Sequence, residues 1–128
     1  MNTSSGWIGV DLDGTLAIYN GWGDGALGEP VGEMLFRVKK WIADGRTVKI
    51  FTARVGETGL RNNIGGVDDK SFADEQRILI QDWCEKHIGM RLEVTAQKDF
   101  GMIELWDDRA VQVEMNTGRP IGKSTRNL

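Results

Sequence analysis

Short apolar runs that stop at polar residues alternate along this chain with segments patterned at three- and four-residue steps. That alternation restricts the fold more than any other feature, because it calls for strands joined through helices. Trp7-Ile8-Gly9-Val10-Asp11-Leu12 is the first run, apolar at successive positions as in a parallel strand buried on both faces. Thr47-Val48-Lys49-Ile50-Phe51-Thr52 is the second, rich in β-branched residues. Leu92 to Thr95 and Met102 to Trp106 are the third and fourth. Between the first two, Val31, Met34, Leu35, Val38, Trp41 and Ile42 mark a helix with Pro30 in its first turn and Gly45 as its stop. Between the second and third, the Ser71-x-x-Asp74 capping pattern opens a helix with an apolar face of Leu79, Ile80, Trp83 and Cys84, closed by Gly89. Val111 to Met115 alternates as a fifth strand before Asn116-Thr117-Gly118.

The expected architecture is therefore α/β: a mainly parallel, Rossmann-like sheet in three layers, covered by helices on both sides. At 128 residues the chain fits a single domain, 1–128, with no internal repeat. Two stretches read as loops. Ala17 to Pro30 carries Gly21, Gly23, Gly25 and Gly28, and Gly56 to Asp69 is glycine- and asparagine-rich without an apolar period. No apolar run approaches the ~20 residues that cross a bilayer. The first residues lack the basic and apolar regions of a secretory signal, and Cys84 has no cysteine partner in the chain. A cytoplasmic protein is expected. The net charge of −3 exerts no general pull on nucleic acid, and the basic tail with Arg119, Lys123 and Arg126 reads as a solvated terminus.

Ligands of parallel sheets bind just beyond the carboxyl ends of the strands. Asp11, Asp13, Thr52, Asp107 and Asp108 all fall at or just past such ends, and Lys98 follows a few residues after the third. Two carboxylates ~4 Å apart repel by about 4 kcal/mol at an effective dielectric near 20. Protonation, a basic partner or a bound cation would relieve that repulsion. All-oxygen ligands with no nearby histidine or cysteine favour a hard ion, magnesium over zinc. Such an ion would attract a phosphate, and Lys98 would add a second positive charge, as phosphoryl transfer requires.

These residues resemble a known family. Asp11-Leu12-Asp13-Gly14-Thr15 is similar to the signature of the haloacid dehalogenase superfamily, the aspartate-nucleophile phosphohydrolases. Thr52 resembles its second motif, Lys98 its third, and Trp106-Asp107-Asp108-Arg109 its fourth, in order over residues 7–109. The resemblance implies that Asp11 attacks phosphorus to form an aspartyl-phosphate, and that Asp13 protonates the leaving oxygen and later activates water. It implies that Thr52 donates to a phosphoryl oxygen and that Thr15 holds the turn. It also implies Mg2+ held by the Asp11 carboxylate, the Asp13 backbone carbonyl and Asp107, with Asp108 binding directly or through water. The chain has no room for the family's cap domain, and capless members tend to oligomerise or use macromolecular substrates. Asp11 to Ala17 and Phe51-Thr52-Ala53-Arg54 carry a fainter likeness to the phosphatase half of polynucleotide kinase-phosphatases and small phage relatives. A nucleotide or nucleic-acid phosphate follows as the expected substrate.

Plainer roles compete with each assignment. Asp11 and Asp13 are also turn formers before Gly14, Thr52 suits any strand, and Asp107 and Asp108 could pair with Arg109. Lys70 is the alternative to Lys98. Arg54 is a substrate contact or a salt bridge, and Trp22 a stacking surface or a loop anchor. His87 suits a helix end. At the level of function, the alternatives are a receiver-like signalling domain phosphorylated on aspartate and a non-catalytic phosphate-binding protein. A receiver would carry its aspartate after the third strand, whereas the D-x-D pair here ends the first.

Overall fold

A computed structural model describes residues 6–21, 26–56 and 69–122, the side chains of residues 69 and 70 excepted. Strands β1 (Trp7–Asp11), β2 (Val48–Phe51), β3 (Glu93–Thr95) and β4 (Met102–Trp106) form one parallel sheet in the order β3-β2-β1-β4. Helix α1 (Gly32–Ala43) joins β1 to β2, and α2 (Asp69–His87) precedes β3. Both steps run across the sheet in the same direction, so right-handed crossovers place both helices on one face.

The buried side chains agree. Ile8, Val10 and Leu12, with Val48, Ile50, Leu92 and Val94, share a single cluster with Met34 and Val38 of α1 and Ile80, Trp83 and Cys84 of α2. Trp41 of α1 meets Trp106 of β4 edge-on, with ring centres 5.2 Å apart, and the Arg37 guanidinium lies over the same Trp106 ring. The opposite face holds Trp7 and Gly9, with Met102 and Leu105 packed where a Gly9 side chain would stand. The segment from β3 to β4 crosses this face, where the Trp7 indole N–H donates to Asp99 at 2.9 Å. Lys49 caps the Trp7 ring at 4.5 Å. A helix layer on this second face, part of the three-layer expectation, is not met among the described residues.

Other expectations shift at their edges. The alternating run after β4 supplies only Gln112–Val113 (β5), which pairs antiparallel with Pro120–Ile121 (β6) as a separate two-stranded ribbon and does not extend the sheet. Helix α2 already includes Asp69 and Lys70, so Ser71 lies within it and is not its cap. Leu79, expected on the apolar face, is 42% exposed, while Ile80 and Cys84 carry the burial. Pro30 precedes α1 and pairs as an antiparallel bridge with Ala17. Among the described residues no helix is long and apolar enough to cross a membrane.

Candidate active site

Register explains why distant polar residues meet. Asp11 ends β1 opposite Phe51 of β2, so Thr52 emerges beside it; Val10 lies opposite Trp106 of β4, so Asp107 and Asp108 emerge on the other side. The chain leaves β1 through a tight turn in which Leu16 and Ala17 N–H groups both donate to the Leu12 carbonyl, at 3.0 and 2.8 Å. Gly14 is required in that turn for two reasons. Its φ of +95° is a conformation that side-chain-bearing residues rarely adopt, and a Cβ there would stand 2.8 Å from an Asp108 carboxylate oxygen.

Thr15 does more than hold the turn. Its hydroxyl accepts from the Asp108 backbone N–H at 3.0 Å and lies 3.1 Å from Asp108 Oδ1 and 3.3 Å from Asp11 Oδ2, two alternative acceptors for its single proton. It thereby ties the end of β1 to the end of β4. Asp107 Oδ1 accepts from the Arg109 N–H at 2.8 Å.

Asp11, Asp107 and Asp108 each present a carboxylate oxygen, all within 4.8 Å of one another. Burial, followed by the hydrogen bond to Asp108 and the charges of Asp107 and Asp108, pushes the Asp11 carboxyl up from 3.8 to about 7. Three hard oxygen donors at this spacing could hold a divalent cation. Exposed acidic groups also gather without an ion, so the donor set permits a metal and does not demand one.

Asp13 stands apart from that trio. Its carboxylate is engaged by Arg54, with Nε donating to Oδ2 at 2.8 Å and Nη2 to Oδ1 at 3.0 Å. The Asp13 carboxylate is not among the three oxygens that gather within 4.8 Å. Thr52 is buried and caps the 3-10 turn Ala53–Val55 by accepting the Arg54 N–H at 3.1 Å. Accepting that bond does not use its own O–H.

A cleft of about 510 Å³ is lined by Asp11, Asp13, Thr52, Arg54, Asp107 and Asp108, together with Tyr19 and Arg109. Lys98 is absent from this lining; it is exposed in the loop after β3. The Lys70 side chain and Trp22 lie outside the described residues. Tyr19, Gln76 and Arg109 were not singled out from sequence as site residues. An aromatic beside Asn20-Gly21 was the available signal for Tyr19, and Arg109 sits next to the acidic pair. Gln76 gave none, since its partner Arg54 is 22 residues away along the chain. His87 packs on Trp83, with ring centres 4.7 Å apart, in the last turn of α2 and does not line the cleft. Comparison of the chain with protein-family models, with curated proteins and with solved structures finds no match in any of the three.

Proposed function

We propose that the chain is a magnesium-dependent phosphatase of the haloacid dehalogenase type, without a cap domain, working through an aspartyl-phosphate on Asp11. The observation that carries this reading is the meeting of Asp11, Asp107 and Asp108 within 4.8 Å at one end of the parallel sheet, with Asp13 and Thr52 lining the same cleft. The two aspartates of the D-x-D pair occupy different environments, one in the acidic trio and one on an arginine. A cation bound among the trio would favour the ionised Asp11 that a nucleophile requires.

In the first half-reaction an Asp11 carboxylate oxygen bonds to phosphorus as the bond to the leaving oxygen breaks, and Asp13, entering the cycle protonated, gives that oxygen its proton and is left as the carboxylate. In the second, Asp13 takes a proton from water while the water oxygen bonds to phosphorus and the bond to Asp11 breaks, releasing inorganic phosphate. Thr52 donates its O–H to a phosphoryl oxygen, and Arg109 at the cleft wall offers a cationic group to the same charge. Asp11, Asp107, the Asp13 carbonyl and Asp108 would hold magnesium, which when bound supplies positive charge for the phosphoryl oxygens.

Asp13 and Tyr19 also line a second hollow of about 200 Å³ with Asn20 and Leu27, a place for the leaving group. An aromatic at this junction supports a nucleotide or nucleic-acid phosphate as substrate, because every base presents a face for stacking. A buried single cysteine accords with a cytoplasmic setting. The test is a panel of phosphorylated oligonucleotides, mononucleotides, sugar phosphates and an aryl phosphate, assayed with magnesium and with a chelator. Magnesium-dependent release of phosphate supports the reading, and turnover confined to sugar phosphates removes the nucleotide proposal. An absence of turnover across the whole panel removes the phosphatase.

A further inference from the structure

The Arg54 guanidinium is the most fully engaged cation at the cleft. Its side chain is 3% exposed, and its planar fork covers both oxygens of Asp13, itself 15% exposed. The remaining arm is held as well: Nη1 donates to Gln76 Oε1 of α2 at 2.9 Å. At the other end, the Arg54 backbone N–H is anchored on the Thr52 hydroxyl. An arginine fixed at its backbone, at both faces of its fork and by a helix residue has few orientations left.

We propose that Arg54 is a positioning residue, which with Gln76 fixes the Asp13 carboxylate at the junction of the two hollows where a leaving oxygen would sit. This deepens the phosphatase reading and rests on it. Three observations favour positioning over phosphate binding. Asp13 lies beyond the end of β1, outside the sheet's ladder, its backbone held only by an isolated bridge to Ala17. The bidentate contact restricts both its torsions at once, which a single-point contact would not do. Asp13, alone with Tyr19, lines both hollows, which puts this residue where a group spanning the two would pass. Proton transfer depends on hydrogen-bond-range placement of the acid, so losing that placement weakens the step that needs the proton and spares one that does not.

Leaving-group dependence separates the roles. For wild type, Arg54→Ala, Arg54→Lys and Gln76→Ala, kcat and KM are measured with magnesium on an alkyl phosphate, whose leaving oxygen needs a proton, and on an aryl phosphate, whose phenolate leaves readily. Positioning predicts that Arg54→Ala lowers kcat/KM on the alkyl ester by about 100-fold or more and on the aryl ester by less than about 10-fold. Added guanidinium restores the alkyl activity in part. Arg54→Lys keeps a charge but not the fork and shows the same selective loss, and Gln76→Ala shows it more weakly. These two variants carry the test if Arg54→Ala fails to fold. Equal losses on both esters, arising in KM, would assign Arg54 to phosphate binding and overturn the proposal, as would loss without selectivity or rescue. A folded wild type inactive on both esters would overturn the phosphatase reading, and the positioning role with it.

Discussion

Magnesium should stabilise this protein strongly at alkaline pH and hardly at all at acid pH. In the folded chain the Asp11 carboxyl is raised from 3.8 to about 7, first by burial and then by Asp108 and Asp107. The folded state thus holds this proton more tightly than the unfolded state does. The stability it contributes is full below the ordinary carboxyl value of 3.8 and is lost as pH rises through about 7. At about 1.4 kcal/mol per pH unit the whole interval would be worth about 4 kcal/mol. Asp11 is only partly buried, and solvent screening reduces this to about 2 kcal/mol. A cation among Asp11, Asp107 and Asp108 would remove most of that penalty, because it favours the ionised form. Thermal unfolding with and without saturating magnesium should show a rise in Tm of about 6–10 °C near pH 8, for a domain of this size. Near pH 5, where Asp11 stays protonated, the rise should be small. In Asp108→Asn, which removes a charge and a carboxylate partner, the metal-free loss of stability with pH should shrink. A magnesium effect equal at both pH values, or absent at both, would refute the reasoning.

Gly14→Ala should cost activity and about 1–3 kcal/mol of stability, since the left-handed φ and the nearby Asp108 oxygen both oppose a Cβ; urea unfolding and a magnesium titration would measure it. Thr15→Val, which keeps the shape but deletes the hydroxyl bridging Asp11 and Asp108, should weaken magnesium affinity and lower stability by about 1–2 kcal/mol, read by calorimetric titration and urea unfolding. Ile80→Ala, in the fully buried cluster under the sheet, should cost about 2–5 kcal/mol by urea unfolding while KM of the surviving folded protein stays near wild type.

Much of the sheet was readable before any coordinates because its strands are short apolar runs with polar ends. Met102 to Trp106 carries no competing helical period, and its bounds as a strand are those expected from sequence. The polar residues at strand ends were readable for the same reason, since parallel register delivers Asp11, Thr52 and Asp107 to one edge. Alternation misled after β4. Val111 and Val113 are exposed, and the pairing partner Pro120–Ile121 turned the segment into a ribbon of its own. The number of helix layers was not readable, because nothing local in Gln97 to Gly101 announces that β3 returns to β4 without a helix. Nor was the Arg54–Asp13 fork: the two residues lie 41 positions apart, and an arginine after a strand threonine has many candidate partners. Lys98 shows the converse. Its place after β3 suited the family's order of motifs, yet the cleft lining does not include it.

The claim at the centre of this account is that Asp11 accepts a phosphoryl group, and peptide mapping tests it most directly. The protein is mixed with an aryl phosphate and magnesium, quenched in acid within the first turnovers, and digested for mass spectrometry. One added phosphoryl group on the peptide bearing Asp11, missing in Asp11→Asn, is the result predicted. Phosphate release that continues undiminished in Asp11→Asn, or a phosphoryl group carried on another residue, would contradict it.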